Sequence, residues 1–156
     1  MIFLQIFLFE NIKLTKYEIT PAFYIMFVLM LSFEIPNWIT LLSSFFLGLI
    51  LDAFYDTGGA HAASLVFAAF LRPGLLTLLK PRDGYMPDTA PSIYAYGTYW
   101  FLRYAVILIF INNITYFILV KFSFKNFAIT LYEAVISSIL VLILAVLSLF
   151  IFEKNN

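Results

Sequence analysis

The sequence predicts an all-α integral membrane protein, one bundle of about six transmembrane helices forming a single domain over residues 1–156. Three observations carry this. Hydrophobic residues make up 63% of the chain, charged residues only 12%, and the mean hydropathy is +0.99. Soluble domains carry about twice that charge, so too few polar groups are present to coat a globule of this size. The apolar residues fall in long runs. The run Ile139–Phe152 is unbroken except for Ser148, whereas strands of a membrane barrel would alternate apolar and polar residues. Helices and closed barrels are the only ways to satisfy a backbone in lipid, so helices are expected.

Six apolar segments follow in order: Met1–Phe9, Pro21–Phe33, Trp38–Tyr55, Ala60–Leu79, Tyr99–Val120 and Phe127–Phe152. A helix crossing a bilayer needs about 20 apolar residues. The last three segments reach that length and the third nearly does. The first two are short, which suggests a start upstream of Met1, or tilted, partly embedded helices. No basic residue precedes the first run and no small-residue cleavage site follows it, which argues against a secretory signal peptide. Arg72-Pro73-Gly74 is expected to interrupt and kink the fourth segment.

Composition also excludes chemistry. Nine basic residues balance nine acidic ones, leaving no surplus to bind the phosphates of a nucleic acid. There is no cysteine, and His61 is the only histidine, so disulfides, thiolate sites and two-histidine metal sites are ruled out. No Walker loop, nucleophile elbow or zinc-protease helix is present. No cofactor, metal or catalytic residue is expected.

Basic residues set the orientation. Placing the loop between the fourth and fifth segments in the cytoplasm puts Arg72, Lys80, Arg82, Arg103 and Lys154 inside, against Lys13, Lys16, Lys121 and Lys125 outside. With six spans both termini are then cytoplasmic.

Polar groups within the apolar segments are the candidate sites, because charges in lipid are expensive and often functional. Asp52 and Asp56 are four residues apart, a spacing that puts both on one helical face. Gly58, Gly59 and His61 follow in a turn. Asp56 as a helix-end cap is the plainer reading; a proton relay or cation site around Asp52 is the sharper one. Arg72 is read as bonding carbonyls freed by Pro73, pairing with an acid, or snorkelling to the surface. Asn112, Asn113, Glu133 and Ser137 are read as interhelical packing. Tyr94, Tyr96, Tyr99, Trp100 and Tyr104 are read as an interfacial aromatic belt. The proline-rich stretch Lys80–Ser92, which includes Arg82 and Asp83, is read as an ordered loop, either a docking surface or a connector. Ser43, Ser44 and Gly48 mark a helix face on which a partner helix could approach closely.

The run from Gly48 through Asp52, Asp56, Gly58, Gly59 and His61 to Ala63 resembles the signature of the MreD family of rod shape-determining proteins. Phe70-Leu71-Arg72-Pro73 and Pro81-Arg82-Asp83-Gly84-Tyr85 resemble the version found in Gram-negative bacteria of the Bacteroidota type. The order of segments extends the likeness over nearly the whole chain; a departure is the short first helix. The resemblance implies a multi-pass protein of the bacterial inner membrane, built like the six-helix substrate-binding subunits of ECF-type vitamin transporters. It implies a non-enzymatic scaffold working with MreC, MreB, RodA and a class B penicillin-binding protein in peptidoglycan elongation and cell shape. The alternative is a transport subunit binding a small molecule, which would need several convergent polar groups. A membrane-embedded enzyme would have only Asp52 and Asp56 to work with.

Overall fold

A computed structural model describes residues 24–121 and 127–153. The described residues form helices α1 (Ile25–Met30), α2 (Asn37–Tyr55), α3 (Ala60–Leu78), α4 (Ile93–Tyr96), α5 (Thr98–Lys121) and α6 (Phe127–Glu153), with no strand among them. The protein is an all-α membrane bundle. Within it α2, α3, α5 and residues Ala128–Leu147 of α6 are long and apolar enough to cross a membrane. The segment Met1–Phe9 lies outside the described residues.

The buried positions explain the packing order. On α5 they come as Phe101, Tyr104–Ala105, Leu108–Ile109, Asn112–Asn113 and Tyr116–Phe117, the repeat of one broad helical face. On α3 the same repeat runs from His61 to Leu76. Helix α2 buries only a narrow stripe, Thr40, Ser44, Gly48 and Leu51–Asp52. Broad faces belong to helices with neighbours on several sides. Accordingly α3 and α5 form the middle, α2 packs on α3, and α6 packs on α5. The rest of α2 is bare: Trp38, Leu42, Phe45, Phe46, Ile50 and Phe54 are exposed, as lipid-facing apolar residues are.

Helix α1 fits the short, partly embedded alternative for the second segment. Only six residues are helical, and Ile25, Met26, Val28 and Leu29 are fully buried against α3 and α5. It is a core plug rather than a crossing helix. The expected break in α3 is absent: the helix continues through Pro73 to Leu78. Pro73 removes one amide donor near the C-terminal end, where little helix remains to be disrupted.

One end of the bundle holds the α2–α3 turn and the C-terminus of α5. The other holds the loop 80–92. That loop is ordered by bonds to the turn that follows α1. Phe33 N and Ser32 Oγ donate to Thr89 O (3.2 and 3.1 Å), and Asp88 N donates to Glu34 Oε1 (3.0 Å). Tyr85 Oη donates to Leu76 O at 2.7 Å, covering the end of α3. Burial pushes the Tyr85 phenol up to about 12, so it remains a donor.

Candidate functional site: the clasp between α2 and α3

Helix α2 ends at Asp56, which adopts a left-handed conformation (φ 52°), and Gly58 and Gly59 follow with φ 60° and 96°. Three left-handed residues within four positions need glycine or a short polar residue, which accounts for Asp56, Gly58 and Gly59 on either side of Thr57. The chain turns back tightly and α3 starts at Ala60. The first amides of any helix lack intrahelical acceptors.

Asp52 supplies them. Its Oδ1 accepts from His61 N (2.9 Å) and Thr57 Oγ1 (2.5 Å), and its Oδ2 accepts from Ala62 N (2.9 Å). His61 Nδ1 lies 3.1 Å from Oδ1 and 2.7 Å from Thr57 Oγ1. The carboxylate of one helix thus caps the N-terminus of the next, where the helix dipole favours negative charge. It is 8% exposed and His61 is 3% exposed, so the pair is embedded rather than solvated.

Gly48 makes this reach possible. A Cβ there would fall on Ala62 Cα and within 2.7 Å of Ala62 N. The backbones therefore meet at position 48, and Asp52, one helical turn further on the same face, arrives at the open amides. The Gly-x-x-x-Asp spacing is a contact followed by a cap.

This geometry changes three sequence expectations. Asp56 does not share a face with Asp52, because the helix has ended before it; its side chain is exposed. The face of Ser44 and Gly48 is not open to a partner. Gly48 touches Ala62 of the same chain, and Ser44 is fully buried, donating to Thr40 O at 2.6 Å. The reading of a cation site around Asp52 meets a ring of N–H and O–H donors instead, the partners of a cap, and no three His, Cys, Asp or Glu side chains converge among the described residues.

Arg72 forms a second buried polar centre, at the opposite end of α3. It is 3% exposed. Its Nε donates to Tyr104 Oη at 2.9 Å and its Nη2 donates to Leu31 O. Tyr104 Oη in turn lies 3.4 Å from Leu29 O. The guanidinium thus caps the open C-terminus of α1, a partner that lies 41 residues away in sequence. None of the three roles expected for Arg72 included it.

The expected aromatic belt divides. Tyr94 and Tyr99 are exposed, and Arg103 Cζ stacks over the Tyr99 ring at 4.4 Å. Tyr104 is fully buried. Trp100 Nε1 donates to Leu79 O at 2.7 Å, and Trp100 joins Phe33, Tyr85, Tyr96 and Tyr104 in one ring cluster. Arg82 and Asp83 are exposed in a turn closed by Gly84 N to Pro81 O at 3.0 Å.

Further intramembrane polar groups join α5 to α6 and to Tyr24 before α1. Glu133 pairs with Lys121, and Asn113 Nδ2 donates to Ser138 Oγ at 3.0 Å. Asn112 Nδ2 donates to Tyr24 Oη at 3.3 Å. Asn112 Oδ1 and Ser137 Oγ are buried without a partner among the described residues.

Asp52, Gly48 and His61 stand out in the sequence. Thr57 and the Tyr24, Tyr55 and Tyr116 rings that surround His61 do not. Thr57 was legible in principle, as a hydroxyl five residues beyond a buried acid in a glycine turn. The tyrosines carry no local signal, because three different elements supply them.

Comparison with protein-family models, with curated proteins and with solved structures gives no match.

Proposed function

We propose that this protein is a non-enzymatic scaffold of the bacterial inner membrane, a member of the MreD family acting in cell-shape control. The observation that supports this reading is where the family-like residues act. Gly48, Asp52 and His61 fix the α2–α3 turn, and Arg72 anchors α1. These charges are engaged in holding helices, so the outer faces are what the molecule offers to others. Its action on this reading is binding, without turnover.

The first candidate partner is MreC, through its single membrane span, with MreB, RodA and a class B penicillin-binding protein in the wider complex. The bare side of α2, with Phe45, Phe46 and Leu49 exposed, replaces the Gly48 face as the surface to test. Co-purification from detergent is the experiment. MreC is expected to be retained by the native chain and lost with Phe45→Ala/Phe46→Ala, and depletion is expected to round the cells. Failure of MreC to co-purify with the native chain overturns the reading.

One observation favours the transport alternative. Asn112 Oδ1 and Ser137 Oγ are buried without a partner among the described residues, and unmatched groups of this kind suit a polar guest. Stoichiometric binding of a vitamin-like ligand by the purified chain would move the assignment there.

A further inference from the structure

The clasp holds more than a cap needs. Asp52 faces donors only: two backbone amides, the Thr57 hydroxyl and the edge of the His61 ring. An ionised carboxylate is the form that accepts from all of them. The Thr57 hydroxyl has a single proton, and its 2.5 Å bond to Asp52 Oδ1 uses it. Its oxygen then accepts from His61 Nδ1 at 2.7 Å, which fixes the ring as the Nδ1–H tautomer. A further proton can join the ring at Nε2 alone.

Aromatic rings enclose the imidazole that would carry that proton. Tyr24, just before α1, lies edge-on to the His61 ring at 5.3 Å. Tyr55 of α2 stacks on it at 5.4 Å, and Tyr116 of α5 tilts over it at 4.5 Å. The stacked Tyr55 face, the tilted Tyr116 ring and the Asp52 carboxylate are groups that can stabilise a cation. Of the nearby charges, Glu133 on α6 is engaged by Lys121. Asp56 and Gly58 of the adjoining turn are exposed, so the outside of the bundle lies next to the site.

We propose that His61 is a proton-binding site. Taking up a proton at Nε2 converts the buried Asp52–His61 pair from a net charge of −1 to neutral, within the contact joining α2, α3, α5 and the residue preceding α1. The acidity on that side of the membrane thereby sets the charge buried at this end of the bundle. The inference is independent of the scaffold reading.

His61 is the only histidine, so nitrogen NMR of the full chain, labelled with 15N-histidine in lipid nanodiscs, reports one ring. The expected result is an Nδ1–H tautomer at alkaline pH and a single titration at Nε2 between pH 4 and 9. Asp52→Asn is expected to weaken proton affinity at least about tenfold. Tyr116→Leu, which keeps Asp52, Thr57 and the His61 and Ala62 amides unchanged, is expected to weaken it about two- to thirtyfold. An Nε2–H tautomer, a ring that never titrates, or an affinity unchanged in both variants would overturn the proposal.

Discussion

Asp52 carries a charge into the apolar part of the bundle and is held there by four donors. Asparagine has nearly the same shape but turns one acceptor into a donor, facing other donors. Loss of charge-assisted bonds with a group left unsatisfied costs about 2 kcal/mol or more. Asp52→Asn is therefore expected to lower the unfolding midpoint in detergent clearly. Asp56→Asn should leave it unchanged, because Asp56 is exposed and asparagine accepts the left-handed conformation as readily. Equal midpoints for the two variants would refute the capping role. Gly48 and Gly58 separate two different uses of glycine. Gly48→Ala puts a methyl into the Ala62 backbone and should destabilise by about 1–3 kcal/mol. Gly58→Ala has open space around it and meets only the backbone strain of φ 60°, about 1 kcal/mol. The same melts rank them. At this scale the sequence was informative about which residues matter. The spacing of Gly48 and Asp52 and the paired glycines were visible. What each residue touches was not, because Asp52 meets amides 9 and 10 residues onward only after a turn of three left-handed residues.

Helix α3 shows why a local rule can mislead about an element. Arg72-Pro73-Gly74 reads as a break, yet the buried face of α3 continues past it through Leu75 and Leu76. Tertiary burial on both sides of the proline outweighs the loss of one amide bond. Thr77 Oγ1 adds a bond to Pro73 O at 2.9 Å. Pro73→Ala is expected to leave the midpoint unchanged or raise it, since alanine restores the missing donor and has the higher helix propensity. A large drop would mean that the proline shapes the helix after all. Arg72 has the opposite expectation. Arg72→Met keeps most of the apolar stem but leaves Leu31 O and Tyr104 Oη without their donor. The predicted loss is about 2–4 kcal/mol, and it should appear first as faster amide exchange over α1 and the loop 80–92. That loop hangs on Ser32, Phe33 and Glu34, which directly follow the anchored carbonyl. Exchange confined to α3 would contradict this. The four long helices were legible as continuous apolar runs. The six-residue α1 was not, because a short buried plug and an incomplete membrane span have the same composition.

Across the whole molecule, α3 places the two polar centres at opposite ends, the Asp52–His61 clasp at its start and Arg72 near its finish. A helix of 19 residues at 1.5 Å each is about 28 Å long, close to the thickness of the bilayer core. The turn containing Asp56 and the turn containing Asp83 must therefore face opposite sides of the membrane. Basic residues decide which side is which. Lys80 and Arg82 follow α3, and Arg103 lies in the second turn of α5, all at the Asp83 end. At the Asp56 end Lys121 is the described basic residue, and Glu133 neutralises it. With Lys13, Lys16 and Lys125 counted from the sequence the balance is five to four, and the cluster around the loop 80–92 predicts that this loop is cytoplasmic. The chain has no cysteine, so single replacements are clean probes, and Asp83 and Asp56 are both exposed positions. In intact cells a membrane-impermeant maleimide is expected to label Asp56→Cys and to spare Asp83→Cys until the membrane is opened. The reverse pattern would invert the orientation while leaving the fold intact. Labelling of both, or of neither, in intact cells would mean that α3 does not cross the bilayer, and would contradict the membrane placement of the central helix itself.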